Sequence, residues 1–130
     1  MRALLFCTAL LFATACSSKS NEESMMDKSV SMMEDIAKVV QSSGDDCAKM
    51  SSGVEGVYKK YEGDMKAMKE FGEKVKSDPK KAEEMAKLAA KYSARLEKVM
   101  PAMMGMMKCA DDPKMKELQA KFDGMGLGGM

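Results

Sequence analysis

Two cysteines, Cys47 and Cys109, stand equidistant along the chain from Asp78, inside the break Ser77-Asp78-Pro79. In an antiparallel helix pair folded at such a break, residues equally far from the turn lie at the same height. Packed helix axes are about 8–10 Å apart, and a disulfide needs Cα atoms within about 7 Å, so inward-facing cysteines at one level can be joined. The spacing therefore predicts a helical hairpin with its open end stapled. On the chain-entropy model, closing a loop of this length contributes about 4 kcal/mol.

The apolar pattern between the cysteines fits that hairpin. Cys47, Val54, Tyr61, Met68 and Val75 recur every seven residues, flanked by Met50, Val57 and Phe71 and by Tyr58 and Met65. On the return, Met85, Ala89, Tyr92, Leu96, Val99, Met103 and Met106 step by four and three. Such stripes belong to amphipathic helices in a bundle and not to strands. Asp78 is placed to cap the returning helix, with Pro79 in its first turn, where a missing N–H costs nothing.

A further helix is expected over residues 22–42, opened by acidic residues as the helix dipole favours. Met25, Met32 and Val39 form one row and Met26, Met33 and Val40 the next, with Val30, Ile36 and Ala37 widening a face broad enough to meet two helices. Gly44 reads as its stop, and Asp45 or Asp46 as the cap of the following helix. Asp112-Pro113 repeats the cap-plus-proline signal and starts a short fourth helix bearing Met115, Leu118 and Phe122, which ends at Gly124. Pro101 should kink the returning helix or end its first part near Met100. Gly53, Gly56 and Gly63 mark either a close approach of the first helix or local weakness tolerated under the staple; Gly72 shares their helix. The expected fold is thus all-α: an antiparallel bundle of three helices plus a short C-terminal helix, stapled by one disulfide.

The first residues carry a different signal. Arg2 precedes a short apolar run over residues 3–15, too short to span a bilayer, and Phe12-Ala13-Thr14-Ala15-Cys16 puts small residues before a cysteine. These residues resemble a bacterial lipoprotein precursor, in which a lipobox precedes a cysteine that receives diacylglycerol and becomes the mature N-terminus. Ala13 stands where leucine is usual, and Ala13-Thr14-Ala15 also suits an ordinary secretory peptidase cutting at the same bond. The resemblance covers only about the first sixteen residues and implies a signal peptide over residues 1–15 and lipidation at Cys16; the residue pattern beyond it divides the chain into a tether over 16–21, a bundle domain over 22–123 and a Gly/Met tail over 124–130. The resemblance also implies export across the inner membrane and a lipid anchor, facing the periplasm from the outer membrane in a Gram-negative cell. Cys7 then leaves with the signal, and Cys47 and Cys109 remain as a pair in an oxidising compartment.

Function classes narrow by exclusion. There is no histidine among 130 residues, which removes the usual general base and imidazole ligand. The 21 basic residues fall to 20 with Arg2, against 20 acidic ones, so the mature net charge is 0 and nothing favours nucleic acid. The acidic pairs Asp45-Asp46, Glu83-Glu84 and Asp111-Asp112 lie near helix starts, where capping and dipole effects explain them.

Methionine is the unusual component, with 17 residues, and residues 99–107 carry no charge at all. Antiparallel packing of the first two helices levels Met33 with Gly56, and Gly56 with Met100, so the two methionine clusters are expected to be neighbours. Methionine fills irregular cores and makes pliable docking surfaces. Its thioether is also a soft ligand for Cu(I), and Met-rich runs resemble those of some periplasmic copper-handling proteins. The function expected first is a non-enzymatic envelope lipoprotein, with no cofactor, that meets an unidentified protein partner or serves a structural role. The alternative is a Cu(I)-binding protein using Met32, Met33, Met100, Met103 and Met104.

Overall fold

The computed structural model describes residues 20–124 and is all-α. Its elements are α1 (Asn21–Ser43), α2 (Cys47–Ser77), α3 (Pro79–Gly105), a 3-10 turn (Met106–Cys109) and α4 (Pro113–Gly124). The region assigned to a signal peptide, Cys16 and most of the tail lie outside the described residues.

Each helix start has a side-chain cap. Ser20 Oγ accepts the Glu23 N–H at 3.2 Å, with Glu22 and Glu23 in the first turn of α1. Asp46 Oδ1 accepts the Lys49 N–H at 2.9 Å. Asp78 alone separates α2 from α3; its backbone is extended and its Oδ1 accepts the Lys80 N–H at 3.0 Å. Asp112 Oδ1 accepts the N–H groups of Lys114 and Met115 at 3.0 and 3.1 Å. These bonds satisfy N–H donors that have no partner inside the helix. Gly44, at φ 57°, stops α1 and donates its N–H to the Val40 carbonyl at 3.2 Å. That left-handed backbone suits glycine because a Cβ would be strained there.

The Cys47–Cys109 disulfide is present, with Cα atoms 5.4 Å apart and a sequence separation of 62. The staple joins the start of α2 to the 3-10 turn that follows α3. The hairpin arms nonetheless touch each other less than each touches α1, which wedges between them. The core follows from this arrangement. Met32, Ile36 and Val40 of α1 meet Met50, Val54, Val57 and Met65 of α2, with Cys109, Met115 and Leu118 closing the end. A smaller cluster joins Ala37 of α1 to Val99 and Ala102 of α3.

Two close approaches set the wedge. A Cβ on Gly53 would collide with Val39 Cγ1, and one on Gly105 would stand 2.8 Å from Val40 Cγ1. Consecutive residues on a helix point about 100° apart, so the adjacent valines press into opposite neighbours. The expected approach along Gly56 and Gly63 is corrected: a Cβ at either, or at Gly72, would meet nothing within 4 Å. Pro101 does not end α3, which runs on to Gly105. Pro101 itself is exposed, while Val99 and Ala102 on either side are buried against α1 and hold the helix there.

Polar contacts fix the register of the three long helices. Arg95, the one arginine after Arg2, forks onto Glu34 through Nε and Nη2 at 2.8 and 2.7 Å, and onto Asp27 through Nη1 at 2.7 Å. Lys91 pairs with Glu23 and Lys81 with Glu22, so α1 and α3 run parallel. Across the other seam, Asp35 accepts from Lys60 at 2.6 Å and from the Tyr61 hydroxyl at 2.9 Å. Lys28 reaches Asp64 on the same antiparallel seam.

Candidate functional site

An apolar groove of about 480 Å³ opens where α1, the C-terminal part of α3, the 3-10 turn and α4 meet. Six methionines line it: Met33 from α1, Met100 and Met103 from α3, Met106 and Met107 from the 3-10 turn, and Met115 from α4. Tyr58 and Phe122 form a wall, stacked with ring centroids 5.8 Å apart and planes 10° from parallel. Burial pushes the Tyr58 hydroxyl up to about 12, helped by the Asp123 carboxylate. Among the described residues, Asp123 is the one charged side chain bordering the groove.

The elements explain why methionines gather there. Along α3, Val99 and Ala102 face α1, which leaves Met100 and Met103 on the flank that turns toward α4. Met33 and Met103 both pack against the Ala37–Val99–Ala102 cluster from opposite helices. The disulfide holds the 3-10 turn against α2, so Met106 and Met107 continue the row. At the groove's mouth Met100 and Met107 are 61% and 73% exposed, and Met104, outside the lining, is 65% exposed. The charge-free run of residues 99–107 is therefore covered on one side only.

Of the five methionines expected to act together, Met33, Met100 and Met103 line this groove. Met32 does not: it is 1% exposed and belongs to the core beside Ile36 and Met50. Met104 does not either, because it points from α3 into solvent and is absent from the lining. The two methionine clusters are neighbours as α1 packs on α3, with Met33 and Met103 on the Ala37–Val99–Ala102 cluster and Met103 and Met106 against the core cluster that holds Met32. Cys47 and Cys109 are joined as expected. Cys16 lies outside the described residues.

Five of the six acidic-pair residues have structural partners. Asp46 and Asp112 are caps, Asp45 pairs with Lys108, Asp111 with Lys116, and Glu83 with Lys87. Among the described residues, no group of three or more His, Cys, Asp or Glu side chains is placed to hold a metal ion. No described helix is long and apolar enough to cross a membrane. A second hollow, about 490 Å³, lies on the other side of Tyr58 between α2 and α4. Glu55 on its lining bridges Lys114 at 2.8 Å and Lys59 at 3.1 Å, and the Lys114 contact foremost lowers its carboxyl to about 2.

Sequence reasoning did not anticipate three features. The Arg95 fork was legible in principle, since one arginine among lysines on α3 faces Asp27 and Glu34, two turns apart on α1. Gly105 lies beyond Pro101, where the returning helix was expected to be weakening, and so was not counted among the close approaches. Met115 joins the groove because α4 folds back onto α2, a long-range packing with no local pattern.

The chain matches no protein-family model, and comparison with curated proteins and with solved structures returned no match.

Proposed function

We propose that this protein is a small non-enzymatic lipoprotein of a bacterial envelope, tethered through Cys16 and acting by protein interaction or as a structural component. The observation that carries the reading is the Cys47–Cys109 bridge. Such bonds persist in oxidising compartments and are rare in the cytosol, which agrees with an export signal ending at Ala15-Cys16. The tether is short, so the bundle stays close to the membrane that holds it. In a Gram-negative cell that surface is the periplasmic face of the outer membrane. The exposed ridge of Met100, Met104 and Met107 supports an interaction role, since large apolar side chains grouped on one face mark contact surfaces. Methionine suits such a surface because its unbranched side chain adapts to irregular partners.

Fractionation tests the tether. The native chain should sediment with membranes, and Cys16→Ser should move it to the soluble periplasmic fraction. Equal partitioning of the two would defeat the reading. A photo-crosslinking residue in place of Met104 tests the interaction: discrete adducts are expected there and not from the same residue at Lys87 on the solvent-facing side of α3.

A further inference from the structure

We propose that the methionine groove is a binding site for a soft monovalent metal ion of the Cu(I) and Ag(I) class, held by the thioethers of Met33, Met100 and Met103 with Met107 as a further donor. This goes beyond the tethered-module reading and holds whether or not Cys16 is acylated, because every donor lies within the bundle.

The placement of the donors carries it. Met33 and Met103 approach from two helices onto the same Ala37–Val99–Ala102 patch. Met100 precedes Met103 by one turn of α3, and side chains three or four apart on a helix are neighbours, while Met107 enters from the 3-10 turn that follows α3. All four border one groove of about 480 Å³. Three rotatable bonds per side chain let the sulfurs converge without moving the backbone.

The chemistry selects the ion. Thioethers are neutral, soft ligands that favour Cu(I) over hard cations. A divalent ion in this apolar lining would carry two uncompensated charges, whereas a monovalent ion carries one, and Asp123 at the border supplies a single opposite charge. Asp46 and Asp112 are held as helix caps and Glu55 in an ion pair, and among the described residues no group of three or more carboxylates is placed to hold a hard cation. Binding is coordination alone, with no change of oxidation state.

The test uses Ag(I), which needs no reductant and so leaves the disulfide intact. The probe is chloride-free Ag(I) titrated into the full chain carrying Cys7→Ser and Cys16→Ser, which removes free thiols. Methionine ε-methyl NMR signals report the site. Saturation at one equivalent is expected, with shifts at Met33, Met100 and Met103 and none at the core residues Met50 and Met65. The triple variant Met33→Leu, Met100→Leu, Met103→Leu should lose stoichiometric binding, while Met104→Leu, one residue along but outside the groove, should bind as the parent does. Leucine keeps volume and helix propensity, and circular dichroism verifies folding. Met100→Leu alone, at an exposed position, should weaken binding if the triple variant is disturbed. Undiminished binding by the triple variant or by Met100→Leu, shifts spread over Met104 and other exposed methionines, or the absence of saturation at one equivalent would each overturn the proposal.

Discussion

Val40 of α1 is seated against Gly105 of α3 so closely that a Cβ on the glycine would stand 2.8 Å from Val40 Cγ1. Its neighbour Val39 makes the matching contact with Gly53 of α2. The pair defines how deeply α1 enters between the hairpin arms, and it predicts opposite signs for chemically identical substitutions. Gly53→Ala and Gly105→Ala should destabilise by about 1–3 kcal/mol, because a stiff β-branched side chain must be displaced. Gly56→Ala and Gly63→Ala, with open space around the new methyl, should stabilise by up to about 1 kcal/mol through helix propensity. Urea unfolding of the four variants gives the comparison.

Arg95 should not be replaceable by lysine. Its fork engages Glu34 through two nitrogens and Asp27 through a third, and it lies over the Tyr92 ring at 5.5 Å. Lysine keeps the charge but loses the planar geometry. Since the side chain is 37% exposed, solvent screening limits the effect. Arg95→Lys should cost about 1 kcal/mol, measured by chemical denaturation, and faster amide exchange should appear first in the N-terminal half of α1.

Removing the staple should matter more than any single side chain. With the cysteines separated by 62 positions, the loss of the Cys47–Cys109 bond should cost about 4 kcal/mol. Cys47→Ser with Cys109→Ser should lower Tm by on the order of 15 °C. Because α1 makes the larger contacts with both arms, the helical circular dichroism of the double variant at low temperature should persist.

Stability should be flat across neutral pH and fall at both extremes. Hydrogen bonds from Arg95 lower the Glu34 carboxyl, and those from Lys60 lower Asp35. A carboxylate with a depressed folded pKa stabilises above its unfolded value, about 4, and that contribution is lost as pH falls through the folded value. At the alkaline end, the Asp35 hydrogen bond raises Lys60 and burial raises Tyr58 to about 12. Groups raised on folding contribute fully below their unfolded values, about 10, and lose that contribution as pH climbs through the folded ones. The chain has no histidine, the side chain whose ordinary value lies nearest neutrality. Urea midpoints should therefore agree between about pH 5 and 9 and drop below about pH 4.

The hairpin was legible because its determinants are local. Asp46, Asp78 and Asp112 announce helix starts by side-chain chemistry, Gly44 announces a stop, and the cysteine spacing then specifies the fold-back. The position of α1 was only half legible. Its wide apolar face showed that it meets two helices, but not that it separates them, since that depends on where small residues let the backbones approach. Gly53 and Gly56 look alike in sequence and differ only in what lies opposite. The groove was the least legible element. Met32 and Met33 are adjacent in the chain, yet the turn of the helix sends one to the core and the other to the groove. Met115 joins through packing of α4 on α2, between residues far apart in sequence.

Intact-mass analysis of the mature protein isolated from the cells that make it tests the account most directly. The predicted result is a chain that begins at Cys16, carries diacylglycerol on that residue, and is lighter by two hydrogens through the Cys47–Cys109 bond. A chain with a free, unmodified Cys16, or one in which Cys47 and Cys109 both react with a thiol label before reduction, would contradict it.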